Sequence, residues 1–189
     1  VGRRGNDFIA VVDGKEAVTL ATSAALASYS TAPGLGFAFN HDGSRLAYGA
    51  MSSPGTWVMV VDGVKSAAYR AIDFTQTALN GKRFVYVAQT GDQQWQVFVD
   101  GAPGPAYAAI SSLKLTPDGA HYAYRADRAG GEPKHALVVV DGAEVDAYYA
   151  ASDLEMGPSG IVDYWGTTNP GDAHGHGGAG GLFVGGLSV

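Results

Sequence analysis

The stretch Phe39–Ile72, FNHDGSRLAYGAMSSPGTWVMVVDGVKSAAYRAI, breaks into short apolar runs separated by turn signals and carries no helical period. Asp62-Gly63 separates a run rich in Val from the run that leads to Tyr69. Such a dipeptide between β-branched runs predicts a two-residue hairpin, because Gly accepts positive φ freely and Asp tolerates it. Taken from Leu35 to Ile72, the unit holds four runs: LGFAF, RLAYGAM, TWVMVVD and KSAAYRAI. Four short strands joined by tight turns predict an antiparallel meander.

The same unit recurs along the chain. The Val-Asp-Gly corner returns with its glycine at Gly14, Gly63, Gly101 and Gly142, and its aspartate at Asp13, Asp62, Asp100 and Asp141. A second glycine falls at Gly43, Gly81 and Gly119, with a degraded copy at Gly160. Tyr69, Tyr107 and Tyr148 each follow the corner glycine by six residues, and Tyr29 fits the series if about nine residues are inserted before it. Three markers in phase, near 38 residues apart, establish a true repeat.

The segments FNHDGSRLAYGA and LTPDGAHYAYRA resemble the WD40-like, TolB-type bacterial propeller repeat, whose core reads like S-P-D-G-K-x-L-A-Y. WVMVVDGVKSAAYRAI and WQVFVDGAPGPAYAAI look like its continuation. The resemblance runs from Phe8 to about Tyr164, with Asn80-Gly81 and Pro158-Ser159-Gly160 departing from the pattern. It implies an all-β β-propeller of four-stranded antiparallel blades in an extracytoplasmic (periplasmic or secreted) bacterial setting. The expected domain is 1–168, with blades at 35–72, 73–110 and 111–152. A fourth would be closed by both termini from 153–168 plus 7–34, because an open sheet edge invites aggregation. The alternative is a fragment or protomer of a larger ring that closes by strand exchange between chains.

Composition bounds the function. The 12 Lys and Arg are scattered in a chain of net charge −6, which argues against nucleic acid. No apolar run approaches membrane-spanning length. The absence of cysteine excludes disulfides and thiolate chemistry. The chain starts at Val1 without Met or a leader, which suggests a removed signal or a piece of a longer reading frame. No Gly-x-Ser-x-Gly elbow and no Walker or dinucleotide loop is present.

Residues 169–189 form a Gly-rich tail whose apolar islands, Leu182-Phe183-Val184 and Leu187-Ser188-Val189, are expected to dock on a sheet edge or a neighbouring chain. Within it, Asp172, His174 and His176 alternate so that they would point one way on an extended chain, as a Zn²⁺ site requires. The competing reading is a hydrophilic spacer. The corner aspartates could hold Ca²⁺, but a turn residue recurs with its turn, so a structural role is the expectation. Asp42 and Asp118, at the other corner, are read the same way, and the isolated His41, His121 and His135 as turn or surface residues.

Tyr48, Tyr86 and Tyr124 recur five residues after the second glycine, with Tyr164 or Trp165 completing the series. Trp57 and Trp95 lead the third strands. Such aromatic rings pack between blades by default; facing a channel mouth, Tyr48, Tyr86, Tyr124 and Trp165 would bind a planar ligand. A binding or scaffold propeller for a protein or small ligand is therefore expected, with no cofactor. The alternatives are a hydrolase of a lactone, ester or phosphotriester using a divalent metal (Ca or Zn) near Asp42, Asp118, Asp172, His174 and His176, and a homo-oligomeric protomer joined by the tail. Metal analysis of the wild type and of an Asp172, His174, His176 triple-alanine variant separates these. The metallohydrolase reading predicts a stoichiometric metal that the variant loses; a metal-free wild type contradicts it.

Overall fold

A computed structural model describes residues 2–4, 7–12, 14–20, 37–40, 44–80, 83–130, 135–167 and 182–185. Every regular element among them is a β-strand. The first sheet holds β1 (Gly2–Arg4), β2 (Asp7–Val12) and β3 (Lys15–Leu20). The second holds β4 (Phe37–Phe39), β5 (Leu46–Ser53), β6 (Thr56–Val61) and β7 (Val64–Lys65). The third holds β8 (Ala71–Asn80), β9 (Arg83–Gly91), β10 (Gln94–Val99) and β11 (Ala102–Tyr107). The fourth holds β12 (Ala109–Leu115), β13 (Tyr122–Asp127), β14 (Ala136–Val140) and β15 (Ala143–Tyr148). The fifth holds β16 (Ala150–Met156), β17 (Val162–Thr167) and β18 (Leu182–Gly185). All pairings are antiparallel, and the three four-stranded meanders start within two residues of the repeat units and end at Lys65, Tyr107 and Tyr148, short of Ile72, Ile110 and Ser152.

The expected junction of residues 153–168 with 7–34 differs from the pairing observed. The free edge of β17 is taken by β18, with Tyr164 opposite Phe183, while β2 is flanked by β1 and β3. An edge strand beside a packed core must pair with something, and the nearest apolar segment downstream supplies the partner.

The corners explain why Val-Asp-Gly recurs. Asp62, Asp100 and Asp141 have φ of 50°, 51° and 48°, and Gly63, Gly101 and Gly142 have φ of 83°, 88° and 84°. Two consecutive positive φ values make the type I′ turn that matches the right-handed twist of the flanking strands. The aspartate also does what no other turn residue at this site could do as well. Asp62 N–H donates to the Leu46 carbonyl at 2.8 Å, and its Oδ1 accepts the Leu46 N–H at 2.9 Å. Asp100 does the same with Phe84, and Asp141 with Tyr122. Each corner thus seals the start of the second strand, at its first or second residue, extending the ladder across the hairpin end. Asp13 lies outside the described residues.

The middle strands are buried on both faces. Phe84 to Ala88 in β9 and Ala136 to Val140 in β14 are buried without interruption. Successive side chains on a strand point to opposite faces, so each sheet feeds two cores. Phe84, Tyr86, Ala88 and Phe98 face the second sheet and meet Ala47 and Met59. Val85, Val87 and Val97 face the fourth sheet and meet Tyr124, Ala126, Leu137 and Val139. Ala123, Val138 and Val140 of the fourth sheet then meet Ala151, Leu154, Val162 and Tyr164 of the fifth.

Paired tyrosines cross each of these interfaces. The hydroxyls of Tyr69 and Tyr86 lie 2.8 Å apart, and those of Tyr148 and Tyr164 lie 3.1 Å apart. Tyr107 and Tyr124 meet edge to face with centroids 6.1 Å apart. The two tyrosine series of the repeat are therefore one device: the last residue of one meander contacts the second strand of the next sheet. Gly166 admits the Tyr148 ring, which lies 2.8 Å from where a Cβ would stand.

Replacing Asp100 by Ala strands the N–H of the buried Phe84 and removes a residue suited to positive φ. Urea unfolding is expected to show a loss of about 1–2 kcal/mol, with Asp100→Asn losing less than half of that. Equal losses for the two variants would show that a neutral acceptor oxygen does not replace the carboxylate and would contradict the seal as described.

Candidate functional site

The second and third sheets do not close completely. At Ser66 the fourth strand of the second sheet leaves the ladder: β7 spans only two residues, whereas β11 and β15 span six. Ser66 takes over part of the pairing with its side chain, its Oγ accepting the Met59 N–H at 2.9 Å and donating to the Ala67 carbonyl at 2.7 Å. The chain returns to register only at Trp57 and Tyr69. Ser66 and Ala67 line the space beside this break in the ladder.

The result is a cleft of about 580 Å³, a size typical of small-molecule sites. Its floor is aromatic. Tyr86 and Phe98 stack at 5.0 Å with an interplanar angle of 9°, Phe84 stacks on Tyr86 at 5.2 Å, and Tyr69 tilts against Phe98 at 4.9 Å. Burial, together with the hydrogen bond to Tyr69, pushes the Tyr86 hydroxyl far above the usual phenol range, so it stays protonated. The lip is apolar at Val64, which is 72% exposed, and at Pro103.

Charge on the rim is mostly internally balanced. Arg45 Nε donates to Asp62 at 2.8 Å, and Arg83 approaches Asp100 at 3.5 Å. Lys65 also lines the cleft and has no ion-pair partner among the described residues. The next interface carries charge at the equivalent place. Glu144, at the repeat position of Pro103, accepts a hydrogen bond from Tyr107 at 3.1 Å and pairs with Arg128. Burial and the nearby Glu144 carboxylate push the Tyr107 hydroxyl up to about 12.

The residues singled out in the sequence fall as follows. Tyr48, Tyr86 and Tyr124 are all interior, on the face of their sheet turned to the preceding one, and burial raises the Tyr48 hydroxyl to about 12. Tyr164 continues this series in the core, while Trp165 is half-buried on the opposite face of β17. Only Tyr86 of the series borders the cleft. Asp118 holds its own turn, accepting from the Thr116 hydroxyl at 2.6 Å and the Ala120 N–H at 3.0 Å. His121 contacts Asp141 at 2.8 Å, and His135 is exposed. His41, Asp42, Asp172, His174 and His176 lie outside the described residues, among which no group of three or more His, Asp or Glu is placed to hold a metal ion.

The cleft itself escaped the sequence reading, which looked for a ligand at a channel mouth. None of its lining residues comes from the first strands β4 or β8. The one available signal was KSAAY, where the other copies read PGPAY and EVDAY. No family model matches the chain, and no curated protein matches it either.

The rim has a defined pH response. Partial burial tends to raise the Asp62 carboxyl, but the hydrogen bonds from Arg45 and Leu46 and the Arg45 charge outweigh it and hold the group below its ordinary value. A depressed carboxyl stabilises the fold above its unfolded value of about 4, and that contribution is lost as pH falls through the lower folded value. Urea midpoints are expected to drop between pH 5 and pH 2.5 less steeply in Asp62→Asn than in the wild type. Parallel profiles would remove Asp62 from the acid response.

Proposed function

We propose that the chain is a non-catalytic binding module of propeller type, its consecutive sheets serving as blades and the cleft between the second and third serving as its ligand site. The observation that carries the reading is an apolar, aromatic-walled cleft at one interface, where the neighbouring interface carries the charged pair Glu144 and Arg128 at the equivalent place. A pocket of this kind, apolar within and edged by a few charges, suits capture of a small molecule better than chemistry on one. The propeller arrangement is supported by the 38-residue repeat, by antiparallel meanders packed face to face, and by the resemblance of LTPDGAHYAY and VVDGA to the WD40-like repeat. A ring of blades would also cover the outer faces of the first and fifth sheets, as two-sided sheets require.

Amide chemical-shift mapping with a library of aromatic fragments tests the site. Shifts are expected to cluster at Ser66–Tyr69 and Phe98–Pro103. Shifts scattered over the surface, or confined to loops remote from these segments, would contradict the reading.

A further inference from the structure

We infer that the cleft selects a small amphipathic anion: a compact apolar body bearing one carboxylate or sulfonate. The inference deepens the binding-module reading and rests on it. The floor decides the apolar body. Tyr69, Phe84, Tyr86 and Phe98 pack on one another and are each at most 6% exposed, so they close the cleft with an apolar wall, and a ligand gains by burying its own hydrocarbon surface against it. The volume of about 580 Å³ admits a two- or three-ring molecule and excludes a folded peptide.

The rim decides the charge. Both carboxylates that border the cleft are already engaged. Asp62 accepts from Arg45 Nε at 2.8 Å and from the Leu46 N–H at 2.9 Å. Asp100 accepts the Phe84 N–H at 2.8 Å and faces Arg83. A cationic ligand would have to compete with guanidinium groups and backbone donors for the same oxygens. Lys65 is different. Its ammonium is exposed, borders the cleft and has no partner among the described residues, leaving one uncompensated positive charge at the mouth. An anionic head can meet this charge while the apolar body enters the cleft. The whole chain carries a net charge of −6, which would repel an anion from a featureless surface; selection must come from this local charge.

The test uses two fluorescent probes of the same shape: 1-anilinonaphthalene-8-sulfonate, which is anionic, and N-phenyl-1-naphthylamine, which is neutral. Each is titrated into the full chain and into two exposed-site variants, Lys65→Met and Ala67→Trp, whose folds are checked by near-ultraviolet circular dichroism. The wild type is expected to bind both probes saturably, the sulfonate more tightly. Lys65→Met should weaken the sulfonate about fivefold, the effect of one exposed ion pair, and leave the neutral probe unchanged. Ala67→Trp should abolish both by filling the cleft. Unchanged sulfonate affinity in Lys65→Met, with both probes lost in Ala67→Trp, would overturn the anion selectivity and leave the cleft as the binding site. Binding that survives Ala67→Trp, or no saturable binding in the wild type, would overturn both the selectivity and the binding-site reading.

Discussion

Strands that are apolar on both faces dictate this structure. A run such as Phe84-Val85-Tyr86-Val87-Ala88 cannot leave either side of its sheet in water, so the third sheet must be covered twice. The same holds for the fourth sheet through Ala136–Val140. Sheets built this way pack in series, each supplying one wall to the core before it and one to the core behind it. The repeat of about 38 residues is the length of one such sheet, and the phase of its markers follows from strand parity.

Two polar devices make the stacking specific. Within a sheet, the corner aspartate satisfies its own strand and an amide at the start of the second strand, so the hairpin end is closed by the protein's own groups. Between sheets, a tyrosine from the end of one meander meets a tyrosine from the middle of the next. A buried hydroxyl needs a partner, and pairing two of them across an apolar interface fixes how the sheets slide against each other. The cleft arises where the packing device stays intact but the covering strand is shortened. Tyr69 and Tyr86 still meet, yet Ser66 and Ala67 do not fill the space above them. The cleft and the packing of the two sheets thus share one floor.

Much of this was legible before any coordinates. Asp-Gly at Asp62, Asp100 and Asp141 announces a type I′ hairpin because few other dipeptides accept two positive φ values. The unbroken apolar runs FVYVA and LVVV, which do not alternate, are those of strands covered on both faces. The tyrosine series were visible as periodic markers, but their mutual contact was not, because it joins residues of adjacent sheets and depends on which face each strand presents. The end pairing also escaped. Whether β17 is flanked by Asp7–Val12 or by Leu182–Gly185 is a competition between two apolar segments for one edge, and local sequence does not rank them. The cleft was illegible for a related reason: it comes from a departure from the repeat, at KSAAY, and a reading based on regularity passes over the irregular copy.

The account stands or falls on the tyrosine contact between sheets. A double-mutant cycle with Tyr69→Phe, Tyr86→Phe and the double variant, followed by urea unfolding, tests it most directly. Each single change leaves one buried hydroxyl without its partner, whereas the double change removes both. The double variant is therefore predicted to lose less stability than the sum of the singles, with a coupling of about 1 kcal/mol. Strict additivity would contradict the claim that these hydroxyls lock the second and third sheets together.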